Sequence, residues 1–210
     1  MKLEKDKVQI IEHDPLFEEV FKKEYKRLKN AFKHSEILHV GSSSVPIPSK
    51  PIVDIMIAVS IVKETQVKKL ESLGYKFIGY VANNGARIFL VLENDPYDIY
   101  LHLVRKNGKC YKDTKRFKDI LLKNADIRQI YSELKYGLVK ASDNRDMYSL
   151  HKGSFIDFLL ENHDENTVDL EAIRRKKEEV LVDHAYTVRL LGETKIKLNK
   201  YSDKIKMKPK

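Results

Sequence analysis

Apolar residues first recur at helical spacing at Phe17, Val20, Phe21, Leu28 and Phe32. That pattern predicts an amphipathic helix with one face on a core. Asp14 can cap this helix and Pro15 suits its first position, where a missing N–H costs nothing. The rhythm then changes to strand. Ile37 to Val40 is a short strand ending at Gly41, and Ile52 to Val59 is a nearly unbroken apolar run. Such a run marks a central strand covered on both faces. Thr65 to Leu73 returns to helix and Gly74 ends it. Tyr75 to Ala82 and Ala86 to Glu93 flank Asn83-Asn84-Gly85, a tight-turn signal between two strands. Asn94-Asp95-Pro96 turns the chain again, into a strand over Tyr97 to Val104.

Helical periodicity takes over in the second half. Helices are predicted at about Thr114 to Lys123, Asp126 to Lys140 and Arg145 to Asn162. A long terminal helix follows from Asn166 to Leu191, capped by Asn166 and stopped by Gly192. Its apolar stripe is Ile173, Val180, Leu181, Val188 and Leu191. The expected class is α/β (α+β): a helix and a small mixed sheet, flanked by helices, with a helical C-terminal half. No internal repeat breaks that order.

Composition narrows the picture. The 210 residues suit one domain with an appendage. The division is expected as 1–162 and 163–210. One cysteine, Cys110, excludes an internal disulfide. The opening MKLEKDKVQI has no signal-type apolar core. Together these favour a cytoplasmic protein. No apolar run reaches the roughly 18 residues of a membrane span. Net charge is +9, and residues 195–210 carry seven lysines against Asp203 alone. Two readings fit this basic end: a solvated terminus, or a surface for nucleic acid or another polyanion.

Candidate chemistry centres on one residue. Asp54 interrupts the apolar run Ile52 to Val59, where an unpaired carboxylate is costly. Upstream stand Gly41, Ser42, Ser43 and Ser44 at a strand end, a turn whose N–H groups and hydroxyls can cradle phosphate oxygens. Lys50 precedes the strand as a point charge, and Asp54 can take a Mg²⁺ shared with phosphates. The plainer reading is a serine connector and an aspartate satisfied by a loop. Both stay open on spacing alone. The remaining histidines make no metal-ligand spacing, and there is no Walker-type lysine loop.

The segment Gly41-Ser42-Ser43-Ser44-Val45-Pro46, followed by Lys50-Pro51-Ile52-Val53-Asp54-Ile55, resembles the GrpB family. More broadly it resembles the polymerase-beta-like nucleotidyltransferase superfamily. Later pieces match in order. Tyr100-Leu101-His102-Leu103-Val104 is similar to the family's His-x-His strand, and Phe117-Lys118-Asp119-Ile120-Leu121 to its Phe-Arg-Asp-Tyr-Leu helix. Tyr131, Leu134 and Lys135 resemble its Tyr-x-x-Leu-Lys stretch. Tyr148, Lys152, Phe155 and Ile156 resemble its closing Tyr-x-x-x-Lys-x-x-Phe-Ile. The match runs over roughly residues 8 to 162.

The resemblance implies a nucleotidyltransferase-like fold and a nucleotide or other phosphorylated small molecule as ligand, held with Mg²⁺. It implies Gly41 to Ser44, Lys50, Lys135 and Lys152 as phosphate or nucleotide contacts. Asp54 becomes the metal ligand and a catalytic residue. His102 becomes a second catalytic residue, for proton transfer or for a hydrogen bond to phosphate. The superfamily transfers nucleoside monophosphates with two Mg²⁺ held by three carboxylates. Here Met56, a poor Mg²⁺ ligand, stands two residues after Asp54. His102 takes the place of the third carboxylate, and Asp98 is a substitute ligand or a turn residue. Three functions therefore compete: a nucleotidyltransferase, a non-catalytic nucleotide- or phosphate-binding module, and a nucleic-acid binder acting through 163–210.

Overall fold

The structure, a computed structural model, describes residues 7–80, 87–142, 144–163 and 167–206, with side chains at 80, 87 and 193–206 left out. The expected turn Asn83-Asn84-Gly85 and the helix cap Asn166 lie outside the described residues. So do residues 207–210 of the basic end.

The elements run α1 (Leu16–Ala31), β1 (Glu36–Val40), a 3₁₀ turn (Ser42–Ser44), β2 (Ile52–Val59) and α2 (Glu64–Ser72). Then come β3 (Lys76–Tyr80), β4 (Arg87–Leu92), β5 (Asp98–Arg105), α3 (Lys109–Lys123), α4 (Ala125–Ala141), α5 (Arg145–Asn162) and α6 (Leu170–Lys206). The chain separates into two compact units, and the division falls inside α4, after Ser132.

The first unit holds a five-stranded sheet in the order β1-β2-β5-β4-β3. β2 and β5 run parallel, and the other neighbours are antiparallel. The expected mixed sheet and central β2 are both present. One face forms the main core. Val53, Ile55 and Ile57 of β2, Leu101 and Leu103 of β5, and Ile88 and Leu90 of β4 meet Phe17, Val20 and Leu28 of α1 and Val67 and Leu70 of α2. Side chains alternate across a strand, so the same alternation sends Asp54, Met56, Tyr100 and His102 to the opposite face. There Met56, Val40, Ala58 and Val104 pack with Tyr111 of α3 in a smaller apolar cluster.

Helix starts follow local capping. Asp14 accepts the Leu16 N–H at 2.9 Å, as expected. α3 begins at Lys109, earlier than the predicted Thr114, directly after Gly108.

The second unit comprises the N-terminal segment that ends at Val8 and the C-terminal part of α4, with α5 and α6. Asn144 caps α5 by accepting from the N–H groups of Asp146 and Met147 at 3.0 and 2.9 Å. A Cβ on Gly137 of α4 would lie 2.6 Å from a Leu181 methyl, so glycine there permits the close approach of α6. The expected stop at Gly192 is corrected: α6 continues unbroken to Lys206. A lone glycine costs a helix only about 0.5–1 kcal/mol. Strong helix formers on both sides, Leu190, Leu191, Glu193 and Lys195 among them, carry the helix through. Asp169 supplies the N-terminal cap, accepting from Ala172 N–H at 2.9 Å. Among the described residues, no helix is long and apolar enough to cross a membrane.

Candidate functional site

Val40, the last residue of β1, pairs with Asp54 of β2. The chain must then turn away at once, and Gly41 does so with φ 70° and ψ −171°. That backbone region belongs almost entirely to glycine. A Cβ at Gly41 would lie 2.4 Å from Asp54 Oδ2. Glycine is thus required twice, by its dihedrals and by the carboxylate packed against it. The other carboxylate oxygen, Oδ1, lies 3.2 Å from His102 Nε2. Because a carboxylate only accepts, Nε2 carries the hydrogen. His102 Nδ1 is buried with no hydrogen-bond partner among the described residues. The pair is only partly open to solvent, with side-chain exposures of 20% for Asp54 and 17% for His102. The Asp54 carboxylate is therefore less screened by bulk water than a fully exposed one.

The serines of the turn divide their work. The Ser44 hydroxyl donates to the Gly41 carbonyl at 2.8 Å, closing the turn on itself. Ser43 is buried, with its Oγ 3.2 Å from His39 Nε2. His39 Nδ1 in turn lies 3.2 Å from a Glu18 carboxylate oxygen. Glu18 can only accept, so Nδ1 donates, and the neutral ring accepts the Ser43 hydrogen at Nε2. Burial holds the His39 pKa below its ordinary value, against the opposing pull of Glu18. Lys118 of α3 donates to the His39 carbonyl at 2.9 Å, and burial lowers its pKa as well. Ser42 stands partly exposed, outside these internal hydrogen bonds.

The other expected site residues spread more widely. Lys50 is partly exposed, just before β2. Asp98 shares the face of His102, but its Oδ1 accepts from the Asn94 N–H at 3.2 Å and secures the preceding turn. Lys135 on α4 and Lys152 on α5 belong to the second unit. Lys135 is buried at 1% exposure, and the Lys152 ammonium lies 5.8 Å from the centre of the buried Tyr148 ring. Sequence reasoning missed the Glu18–His39–Ser43 relay and Lys118. A histidine set among apolar residues in β1 was the available hint.

Met56 explains the missing second carboxylate. It is fully buried at 0% exposure, inside the apolar cluster under α3. Among the described residues, no three His, Cys, Asp or Glu side chains converge to hold a metal. A two-metal centre does not fit this donor set. A single Mg²⁺ does, since that ion is commonly held by one carboxylate together with ligand phosphates and water.

Comparison with known proteins gives the same frame. The GrpB family model matches residues 7–162, and the chain belongs to that family. A glutamate-rich GrpB protein of Alkalihalophilus pseudofirmus is 27% identical over 74% of this chain and 95% of its own. A UPF0157 protein of Halalkalibacterium halodurans is 31% identical over 63% of this chain and 70% of its own. Among solved structures, the GrpB protein of Enterococcus faecalis superposes with a TM-score of 0.55 at 21% identity, covering 84% of this chain and 99% of its own. The Cid1 poly(U) polymerase with Mg and 3′-dATP bound gives 0.51 at 12% identity, over 82% and 68%. The fold is nucleotidyltransferase-like.

Proposed function

We propose that this GrpB-family protein binds a nucleotide through its phosphates at the corner made by Gly41 to Ser44, Asp54 and His102. In this reading Asp54 holds a single Mg²⁺ that the phosphates share, and the ion would neutralise phosphate charge. Ser42 and the turn's backbone face the phosphates, Lys50 adds a nearby cation, and His102 fixes Asp54 by its hydrogen bond. The observation that supports this reading most is Asp54 itself: a carboxylate set into an apolar strand, with room made for it at Gly41 and a histidine beside it. The expected compartment is the cytoplasm.

Transfer of a nucleoside monophosphate to an acceptor is the reaction the fold suggests. The buried Met56 favours the alternative, a binding module without turnover. Calorimetry with each NTP, with and without Mg²⁺, decides binding. The wild type should bind and Asp54→Asn should lose the Mg²⁺-dependent part. No heat with any NTP would sink the proposal. Pyrophosphate release in the wild type, abolished in Asp54→Asn, would establish transfer over mere binding. A further reading assigns 163–210 to nucleic acid, supported by a helix that runs on to Lys206 among lysines.

A further inference from the structure

On the sheet face that carries Asp54, two neighbouring strands present aromatic rings. β5 alternates cleanly: Ile99, Leu101 and Leu103 are buried in the main core, while Tyr100 and His102 point the other way and stay partly exposed. Phe89 of β4 is paired with His102 and is also partly exposed, unlike its buried neighbours Ile88 and Leu90. The Phe89 ring centre lies 5.2 Å from that of Tyr100, edge to face, and 5.3 Å from that of His102. The three rings adjoin as one aromatic floor of tilted rather than coplanar faces, with interplanar angles of 82° and 37°. Asp54 is paired with Tyr100 and bonded to His102, so the floor begins where the carboxylate ends.

Next along the sheet, Gly79 of β3 is paired with Phe89, and a Cβ placed there would meet nothing within 4 Å. Among the described residues, the space beside the Phe89 ring is therefore open. Aromatic rings on a sheet face are a general seat for nucleobases, because every base offers a π-face.

Resting on the nucleotide reading above, we infer that Phe89 and Tyr100 seat the planar base of the ligand while its phosphates face Gly41 to Ser44. β2 and β4 are two strand spacings apart, roughly 10 Å. That is a span a nucleoside with its first phosphate can bridge. The site then selects ligands carrying a planar heterocycle over bare polyphosphates or sugar phosphates. The choice among bases is loose, since stacking reads shape rather than edges.

The test compares ATP, UTP and inorganic tripolyphosphate on the full chain by calorimetry in Mg²⁺. Both nucleotides should bind roughly 10- to 100-fold more tightly than tripolyphosphate. Phe89→Leu and Tyr100→Leu should each erase most of that advantage and leave tripolyphosphate binding unchanged, with melting curves checking that each variant folds. On the wild type, base protons should shift upfield in NMR spectra as they stack. Equal affinity for nucleotides and tripolyphosphate would overturn the aromatic seat and leave the phosphate corner standing. A nucleotide advantage untouched in both variants would also overturn it. Binding of none of the three would remove the corner and the seat together.

Discussion

At the scale of single residues, Gly41 and Met56 carry opposite lessons about Asp54. Gly41→Ala would demand a conformation that L residues avoid and would drive a methyl into the carboxylate. We expect a loss of about 1–3 kcal/mol in urea unfolding, together with loss of Mg²⁺-dependent nucleotide binding as Asp54 is displaced. Unchanged stability and binding would mean that the turn relaxes freely and the close packing is incidental. Met56 looks like the obvious place to restore a carboxylate pair. Its burial predicts the reverse. Met56→Asp places a charge among Val40, Ala58, Val104 and Tyr111, at a cost of about 3–5 kcal/mol. Met56→Leu, close in volume, should cost under about 1.5 kcal/mol. A stable Met56→Asp protein that gains a second bound Mg²⁺ would overturn this account of the site.

At the scale of elements, the buried histidines make stability depend on pH. His184 of α6 is wholly buried, and its Nε2 lies 3.1 Å from the Leu138 carbonyl of α4. That carbonyl only accepts, so Nε2 carries the hydrogen and Nδ1 offers a lone pair. Across a 3.1 Å gap, His151 Nδ1 of α5 faces it, and the same nitrogen lies 2.9 Å from the Met147 carbonyl. Burial, and then His151, hold the His184 pKa below its ordinary value of 6.5. His39 is likewise held down by burial. A depressed folded-state pKa means that the unfolded chain takes up protons first. The contribution is therefore complete above about pH 6.5 and is lost as pH falls through that value towards the folded pKa. Each such proton steepens the loss by up to about 1.4 kcal/mol per pH unit. Urea titrations from pH 7.5 to 5 should show this decline, and His184→Gln should flatten part of it. A flat profile in the wild type would mean that neither histidine is held neutral by the fold.

These pairings also mark what the sequence could show. The strands, α1 and the mixed character of the sheet were legible because periodicity is a local signal, and Asp54 was legible because it broke a local pattern. The partners of His39 and His184 lie 21 and 33 residues away, beyond any periodic signal. Gly192 is a weak stop because the strong helix formers around it outweigh one glycine. Phe89 and Tyr100 looked like ordinary strand residues until register set them beside Asp54.

At the scale of the whole molecule, the net charge is concentrated at one end of the chain. Six of the nine net positive charges lie in residues 195–210. The last buried residue described on α6 is His184, and Leu191 is already 50% exposed. The helix nevertheless runs on to Lys206. The proposal that this basic end contacts a polyanion is tested by removing it. Removing residues 195–210 leaves a net charge of +3 and should barely move the melting temperature. It should remove binding to a short single-stranded RNA at low salt. For the full chain, engagement of six or seven phosphates by these lysines implies a fall in affinity of about a thousandfold between 50 and 200 mM salt. Equal RNA affinity and equal salt slope in the two forms would exclude the basic end as the contact and return any polyanion binding to the rest of the chain. A truncated form that melts much earlier would instead make the distal helix part of the fold.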